Sequence, residues 1–253
     1  MRTSFLMSGV LAATTVFAVS TPVFAYSIGG NGDFMGINSG DINKYFQVNF
    51  DGSVEKTDVD GLSGSAKFTL NDWGLENING NDYTVASFKV DLTNTSTDPI
   101  TSRISRLGFD TDPNIDKVAS SVTGTFTEIS TDKNIKFPNG VGNLEVCLTP
   151  DSTGNCTGGS GGVETGNTGT FNLKLAFADT SLNSFNFSNF HLRYQSINGT
   201  SLGKSGTGDG LVMASSTDAP EPLTILGTGM ALGFGGLFRK EQQKQKQKQQ
   251  IKA

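Results

Sequence analysis

Strict alternation of apolar and polar residues recurs along the middle of this chain, and it restricts the fold more than any other feature. Ala86, Phe88, Val90 and Leu92 alternate with Ser87, Lys89 and Asp91. Phe171, Leu173, Leu175 and Phe177 alternate with Asn172, Lys174 and Ala176, and Phe190, Leu192 and Tyr194 with His191, Arg193 and Gln195. Period two sends successive side chains to opposite faces, so these are half-buried antiparallel strands. Shorter strands are predicted over residues 45–50, 67–70, 104–109, 122–129 and 144–148. Clusters of Gly, Asn, Asp and Ser separate them, such as the Asn-Thr-Ser-Thr-Asp-Pro run at 94–99. The expected fold is all-β: a single antiparallel β-sandwich, jelly-roll-like, over residues 26–218. About 190 residues suffice for one core.

The two ends read differently. Residue Arg2 supplies an N-terminal positive charge, residues 5–19 are mostly apolar, and Val23-Phe24-Ala25 places small or medium residues where a signal peptidase reads. We expect a signal helix over 1–25, removed after Ala25. A buried N-terminal helix or strand is the alternative, but nothing amphipathic continues beyond it. At the other end, Pro220-Glu221-Pro222 precedes an apolar, Gly-spotted run of 16 residues from 223 to 238, then Arg239-Lys240 and a Lys/Gln tail. As a helix this run spans about 24 Å, short of the roughly 30 Å of a bilayer core. The basic flank holds the tail on the cytoplasmic side. A short span behind a proline-rich hinge suits a temporary stop better than a permanent membrane anchor.

Pro220-Glu221-Pro222, the Gly-rich apolar stretch and the basic residues Arg239 and Lys240 resemble the PEP-CTERM sorting signal of exopolysaccharide-producing bacteria. The resemblance implies that residues 219–253 are a tag, read by an exosortase, an integral-membrane cysteine protease-transpeptidase. The long Lys/Gln tail departs from members that stop after a few arginines. Within the body, residues 45–50 and 66–70, the run Gly108-Phe109-Asp110-Thr111-Asp112-Pro113-Asn114, Glu145-Val146-Cys147, Cys156-Thr157-Gly158-Gly159 and the run from Arg193 to Gly199 resemble the cyanobacterial "cistern" group of PEP-CTERM proteins. That group implies a fold and a compartment rather than a mechanism.

Without the two end segments, residues 26–218 hold 12 Lys+Arg and 22 Asp+Glu, a charge of about −10. An acidic body with scattered lysines speaks against nucleic acid, which requires a basic stripe; a solubilising surface is the simpler reading.

Cys147 and Cys156 are the only cysteines, and both lie in the body expected to be exported. Eight residues separate them, including Pro150, Gly154 and Asn155, so the chain can turn back on itself. Export to an oxidising space favours a disulfide over free thiols. Metal binding would need two further ligands, and the lone histidine, His191, is distant in sequence.

Asp110, Asp112, Asn114 and Asp116 place oxygen-bearing side chains at alternate positions, as a Ca²⁺ loop begins. Ile115 stands where such a loop has glycine and Ser121 where it has glutamate. An Asx/Pro turn between two strands explains the same residues without metal.

Catalytic signatures are missing from the body: there is no Gly-x-Ser-x-Gly, no His-Glu-x-x-His and no phosphate loop. His191 falls on the polar face of a strand, where an exposed histidine is expected. Trp73 and Tyr83 flank Asn77–Asn81, a stretch read as a polar loop. They could stack on a sugar ring, although a single Trp is more simply core. Three functions stay open: an exported surface or matrix structural protein associated with exopolysaccharide, a non-catalytic carbohydrate-binding module, and, least supported, an extracellular hydrolase.

Overall fold

The computed structural model describes residues 27–29, 32–132 and 135–213. The expected signal segment with Ala25, and the sorting residues Pro220, Glu221, Pro222, Arg239 and Lys240, lie outside the described residues. The chain divides into two units, Met1–Val212 and Met213–Ala253, and the core lies in the first.

Among the described residues seventeen strands follow one another: β1 (Ser27–Gly29), β2 (Phe34–Asn38), β3 (Tyr45–Phe50), β4 (Ser53–Val54), β5 (Thr57–Asp58), β6 (Gly64–Ile78), β7 (Asn81–Asn94), β8 (Thr101–Asp112) and β9 (Ser121–Gly124). Then come β10 (Glu128–Ile129), β11 (Ile135–Phe137), β12 (Gly142–Leu144), β13 (Val146–Thr149), β14 (Val163–Glu164), β15 (Thr168–Phe177), β16 (Ser184–Asn198) and β17 (Ser205–Met213). Among the described residues the sole helical element is a 3-10 turn at Ser39–Asp41. The fold is all-β and its strand pairs are antiparallel.

One hydrogen-bonded order, β10-β13-β8-β16-β17-β3-β6-β7-β15-β9, carries most of the sheet, and its two end strands come together in space. The sheet is therefore nearly closed. Residues 125–127 stitch the ends: the Thr125 amide donates to the Thr170 carbonyl on β15, and the Thr127 amide to the Thr149 carbonyl on β13. Phe126, fully buried between them, packs on Phe171 at 5.1 Å.

The alternation seen in sequence is what fills the interior. Phe46, Phe68 and Phe88 from β3, β6 and β7 face Phe109 of β8 and Phe185, Phe187 and Phe190 of β16. Phe68 meets Phe187 and Phe190 at 5.7 Å each and Phe109 edge-on at 6.5 Å; Phe88 meets Phe187 at 5.5 Å. Edge-to-face and tilted pairs suit the aromatic quadrupole and add to the area these rings bury. Bulges interrupt the β8–β16 ladder between Ser188 and His191. They shift the phase of alternation, so Phe190 returns to the core after Phe187.

Three sequence expectations need correction. Residues 144–148 are not one strand: the chain breaks at Glu145 between β12, which pairs with β11, and β13, which pairs with β8 and β10. Residues 122–129 do not form one strand, because Gly124 turns the chain at φ 130°, and β9 and β10 pair with different neighbours. A Cβ at Gly124 would lie 2.6 Å from the Thr170 carbonyl oxygen, so only glycine fits the approach. Asn77–Asn81 is not a polar loop but the tip of the long β6–β7 hairpin, which pairs as far as Ile78 and Asn81. Asn79 and Gly80, both at positive φ, make the two-residue turn that such hairpins favour.

A second, small core lies on the outer side of the sheet. The β11–β12 hairpin and the disulfide loop bring Ile135, Phe137, Leu144, Cys147 and Cys156 together. It covers Gly108, which alternates with the core residues Leu107 and Phe109; a Cβ there would meet Leu144 Cδ1 at 2.4 Å.

Candidate functional site: an open polar cleft

The acidic stretch at the end of β8 and just beyond it does not gather its carboxylates around one point. Asp110 Oδ1 accepts from the Glu145 amide at 2.6 Å, and its Oδ2 from Asn189 Nδ2 at 2.8 Å. Asp116 turns elsewhere: Oδ1 accepts from the Val118 and Ala119 amides at 2.9 and 3.1 Å, and Oδ2 from the Tyr83 hydroxyl at 3.2 Å. Asp112 and Asn114 are exposed. Among the described residues no three His, Cys, Asp or Glu side chains are grouped to hold a metal ion. Asx turns account for this geometry.

The organising residue is Glu145, which stands within the Glu145-Val146-Cys147 motif but to which the sequence assigns no site role. It follows β12, and its carboxylate reaches back across the loop. Oε2 accepts from the Thr111 amide at 2.8 Å and from the Thr111 hydroxyl at 2.6 Å, and Oε1 from the Ile115 amide at 2.7 Å. Three donors hold it in place, so it anchors the loop. Burial pushes the Glu145 carboxyl above its ordinary value, outweighing the hydrogen bonds that pull it down, and the Asp110 charge adds to the rise.

Around Glu145 opens a cleft of about 480 Å³ lined by Asn114, Ile115, Lys117, Thr131, Asp132, Asn143 and Leu144. Lys117 Nζ donates to the Asp132 carbonyl at 2.9 Å. Burial lowers the Lys117 ammonium from its ordinary value, opposed by the Glu145 and Asp132 charges. Ile115 and Leu144 supply apolar floor, while two carboxamides, a hydroxyl and an ammonium supply donors and acceptors. Such a lining suits a hydroxyl-rich ligand. A charged residue flanked by Leu144 and Val146 was the signal available in sequence, since glutamate seldom sits in an apolar run unless paired.

The other sequence candidates fall elsewhere. Cys147 and Cys156 form a disulfide, with Cα atoms 6.2 Å apart. Trp73 is half-buried, stacks on Phe185 at 5.7 Å and donates Nε1–H to the Leu182 carbonyl at 3.3 Å, which makes it part of the core's margin. Tyr83, on β7, donates its hydroxyl to Asp116 in the segment after β8. His191 lies on the outer face as expected, but it is not exposed: the β11–β12 hairpin covers it, with Phe137 at 6.0 Å and a side chain only 12 % accessible. Its Nε2 meets Asn189 Oδ1 at 2.7 Å. Nδ1 lies 2.8 Å from Asp209 Oδ1, but off the angle a hydrogen bond needs. Burial lowers the His191 value, against the Asp209, Asp110 and Asp51 charges.

Fold and cleft together define an antiparallel all-β domain with a polar recess beside the end of β8. Comparison of the chain with protein-family models, with curated proteins and with solved structures yields no match.

Proposed function

We propose that this chain is an exported, non-catalytic structural protein of the cell surface or extracellular matrix. In this reading its body is a single jelly-roll-like β-sandwich, released by signal peptidase and sorted by an exosortase acting on a PEP-CTERM tag. The observation that carries the reading is the C-terminal succession of Pro220-Glu221-Pro222, a short apolar run and Arg239-Lys240. A disulfide within an otherwise closed domain suits an oxidising exterior. Intact mass of protein recovered from the cell surface tests it: a mature form starting at Tyr26 and ending near Pro222 is expected, and retention of Ala253 would make the tag a permanent anchor instead.

The cleft favours a second reading, in which the domain binds exopolysaccharide. Its mixed amide, hydroxyl and ammonium lining can satisfy sugar hydroxyls, and Glu145, held by three donors, is poorly placed for acid–base work. A glycan array separates the two. Binding lost on Asn143→Ala and Lys117→Ala supports the module; a blank array leaves the structural role.

A further inference from the structure

Three arginines stand near one another on the outer face of β8 and β16, by the disulfide-closed loop. Arg103 has Glu164 3.9 Å from its Nε and donates to the Gly159 carbonyl at 3.1 Å and to the Gly161 carbonyl. Arg106, fully buried, reaches Asp151 at 3.2 Å and donates to the Asn155 and Ser105 carbonyls at 2.5 and 2.6 Å. Arg193 is the register partner of Arg106 and is 8 % exposed. Among the described residues no carboxylate lies within 4.0 Å of it; its one hydrogen bond runs from Nη1 to the Gly206 carbonyl at 3.2 Å. Its Nε is buried without a partner, whereas Nη2 makes no hydrogen bond yet is not enclosed, so it meets solvent.

A guanidinium cannot shed its proton to escape this position, and buried charges are otherwise paired. Burial and then the neighbouring Arg106 charge hold Arg193 below the ordinary arginine value. Nε and Nη2 share one edge of the guanidinium plane, the edge on which planar oxyanions dock side-on. A second cation stands at the rim. Lys56, exposed on the β4–β5 turn, crosses Gly140, with Nζ 3.4 Å from where a Cβ at Gly140 would be. Beside it Asn139 donates Nδ2–H to Thr207 Oγ1 at 3.5 Å, and Thr207 faces Arg193 across the β16–β17 ladder. The nearby Asp209 carboxylate leans towards His191.

We propose that Arg193, with Lys56 at its rim and the Thr207 and Asn139 side chains between them, binds an oxyanion: a carboxylate or sulfate group, free or carried on an acidic polysaccharide. The site lies apart from the cleft and does not depend on its reading. Calorimetric titration of the full chain in detergent at low ionic strength tests it, with sodium sulfate, sodium galacturonate and polygalacturonate as probes. Saturable one-to-one binding is expected, weakened on the order of tenfold by Arg193→Gln and by Arg193→Lys, which keeps the charge but loses the fork. Because Arg193 is buried, exposed Lys56→Ala serves as the variant that leaves folding untouched, with roughly threefold weaker binding. Binding of sulfate alone upholds the site and assigns it to a free ion; binding of the uronates upholds it and assigns an acidic polysaccharide. No saturable heat from any probe, or unchanged affinity in both Arg193→Lys and Lys56→Ala, overturns it.

Discussion

Glu145 accepts two hydrogen bonds from a single residue, Thr111, through its amide and its hydroxyl. With the Ile115 amide as third donor, the carboxylate ties the end of β8 and the segment after it to the start of β13. Glu145→Gln must turn an NH₂ group towards a donor whichever way the amide is placed. It is expected to cost about 1–3 kcal/mol, read by urea denaturation. Burial raises the folded value of this carboxyl above 4.5, so protonation favours the folded state. Its contribution is complete below the ordinary value and is lost as pH rises through the folded one. The variant should lack that part of the pH dependence.

His191 is the only histidine, so one imidazole resonance reports its titration without ambiguity. Burial holds its folded value below 6.5. The sign is opposite to that of Glu145: this group contributes stability above 6.5, lost as pH falls through the lowered value. Phe137→Ala, which removes the ring lying over it, should move the midpoint towards 6.5 in a proton NMR titration. An unchanged midpoint would mean that the hairpin does not shield the ring.

Replacing Cys147 and Cys156 together by Ser should destabilise the fold by roughly 2.5–3 kcal/mol, from the entropy of a ten-residue loop. Hydrogen exchange should locate the loosening in the small outer core around Phe137 and Leu144, with the amides of β6 and β7 still protected. Uniform loss of protection would refute that division.

Two glycines with unexceptional φ should respond in opposite ways. A Cβ on Gly208 would sit 2.0 Å from the Asp51 carbonyl oxygen and 2.9 Å from the Tyr194 ring. Backbone cannot yield there, so Gly208→Ala is expected to cost at least about 2–3 kcal/mol. Gly74, on the projecting part of β6, has nothing within 4 Å of the same position. Gly74→Ala should leave stability unchanged or raise it by about 0.5 kcal/mol. Thermal melts of the two variants decide the matter.

Changing Glu221 to Ala, or deleting Arg239 and Lys240, should leave unprocessed precursor in the membrane fraction. Immunoblots of fractionated cells read the outcome. Normal processing of both variants would remove the sorting interpretation of the C-terminal segment.

The all-β character was legible because the phenylalanines that fill the interior also carry the alternation: Phe88, Phe171 and Phe190 mark their strands in sequence and touch in space or share one core. β17 was illegible for the converse reason. Gly206, Gly208 and Gly210 stand where the Ser53 and Asp51 carbonyls, the Phe50 ring and the Phe190 Cβ come too close for a Cβ, so the strand reads as a loop. The cleft was hidden for a different reason. Lys117, Asn143 and Glu145 are brought together by a loop and a hairpin, and no local spacing encodes that meeting. The Asp110–Asp116 run announced itself as chelating chemistry, yet its oxygens face separate backbone and side-chain donors.

The stitch around Phe126 has a consequence for how copies of this domain can associate. Where β9 and β10 meet, the Thr125 and Thr127 amides are spent on the Thr170 and Thr149 carbonyls of the same domain, which leaves fewer free donors at the two ends of the strand order for edge-to-edge pairing. Contacts made at these two ends would therefore rest on side chains and loops more than on backbone pairing, and would be the more readily loosened by salt.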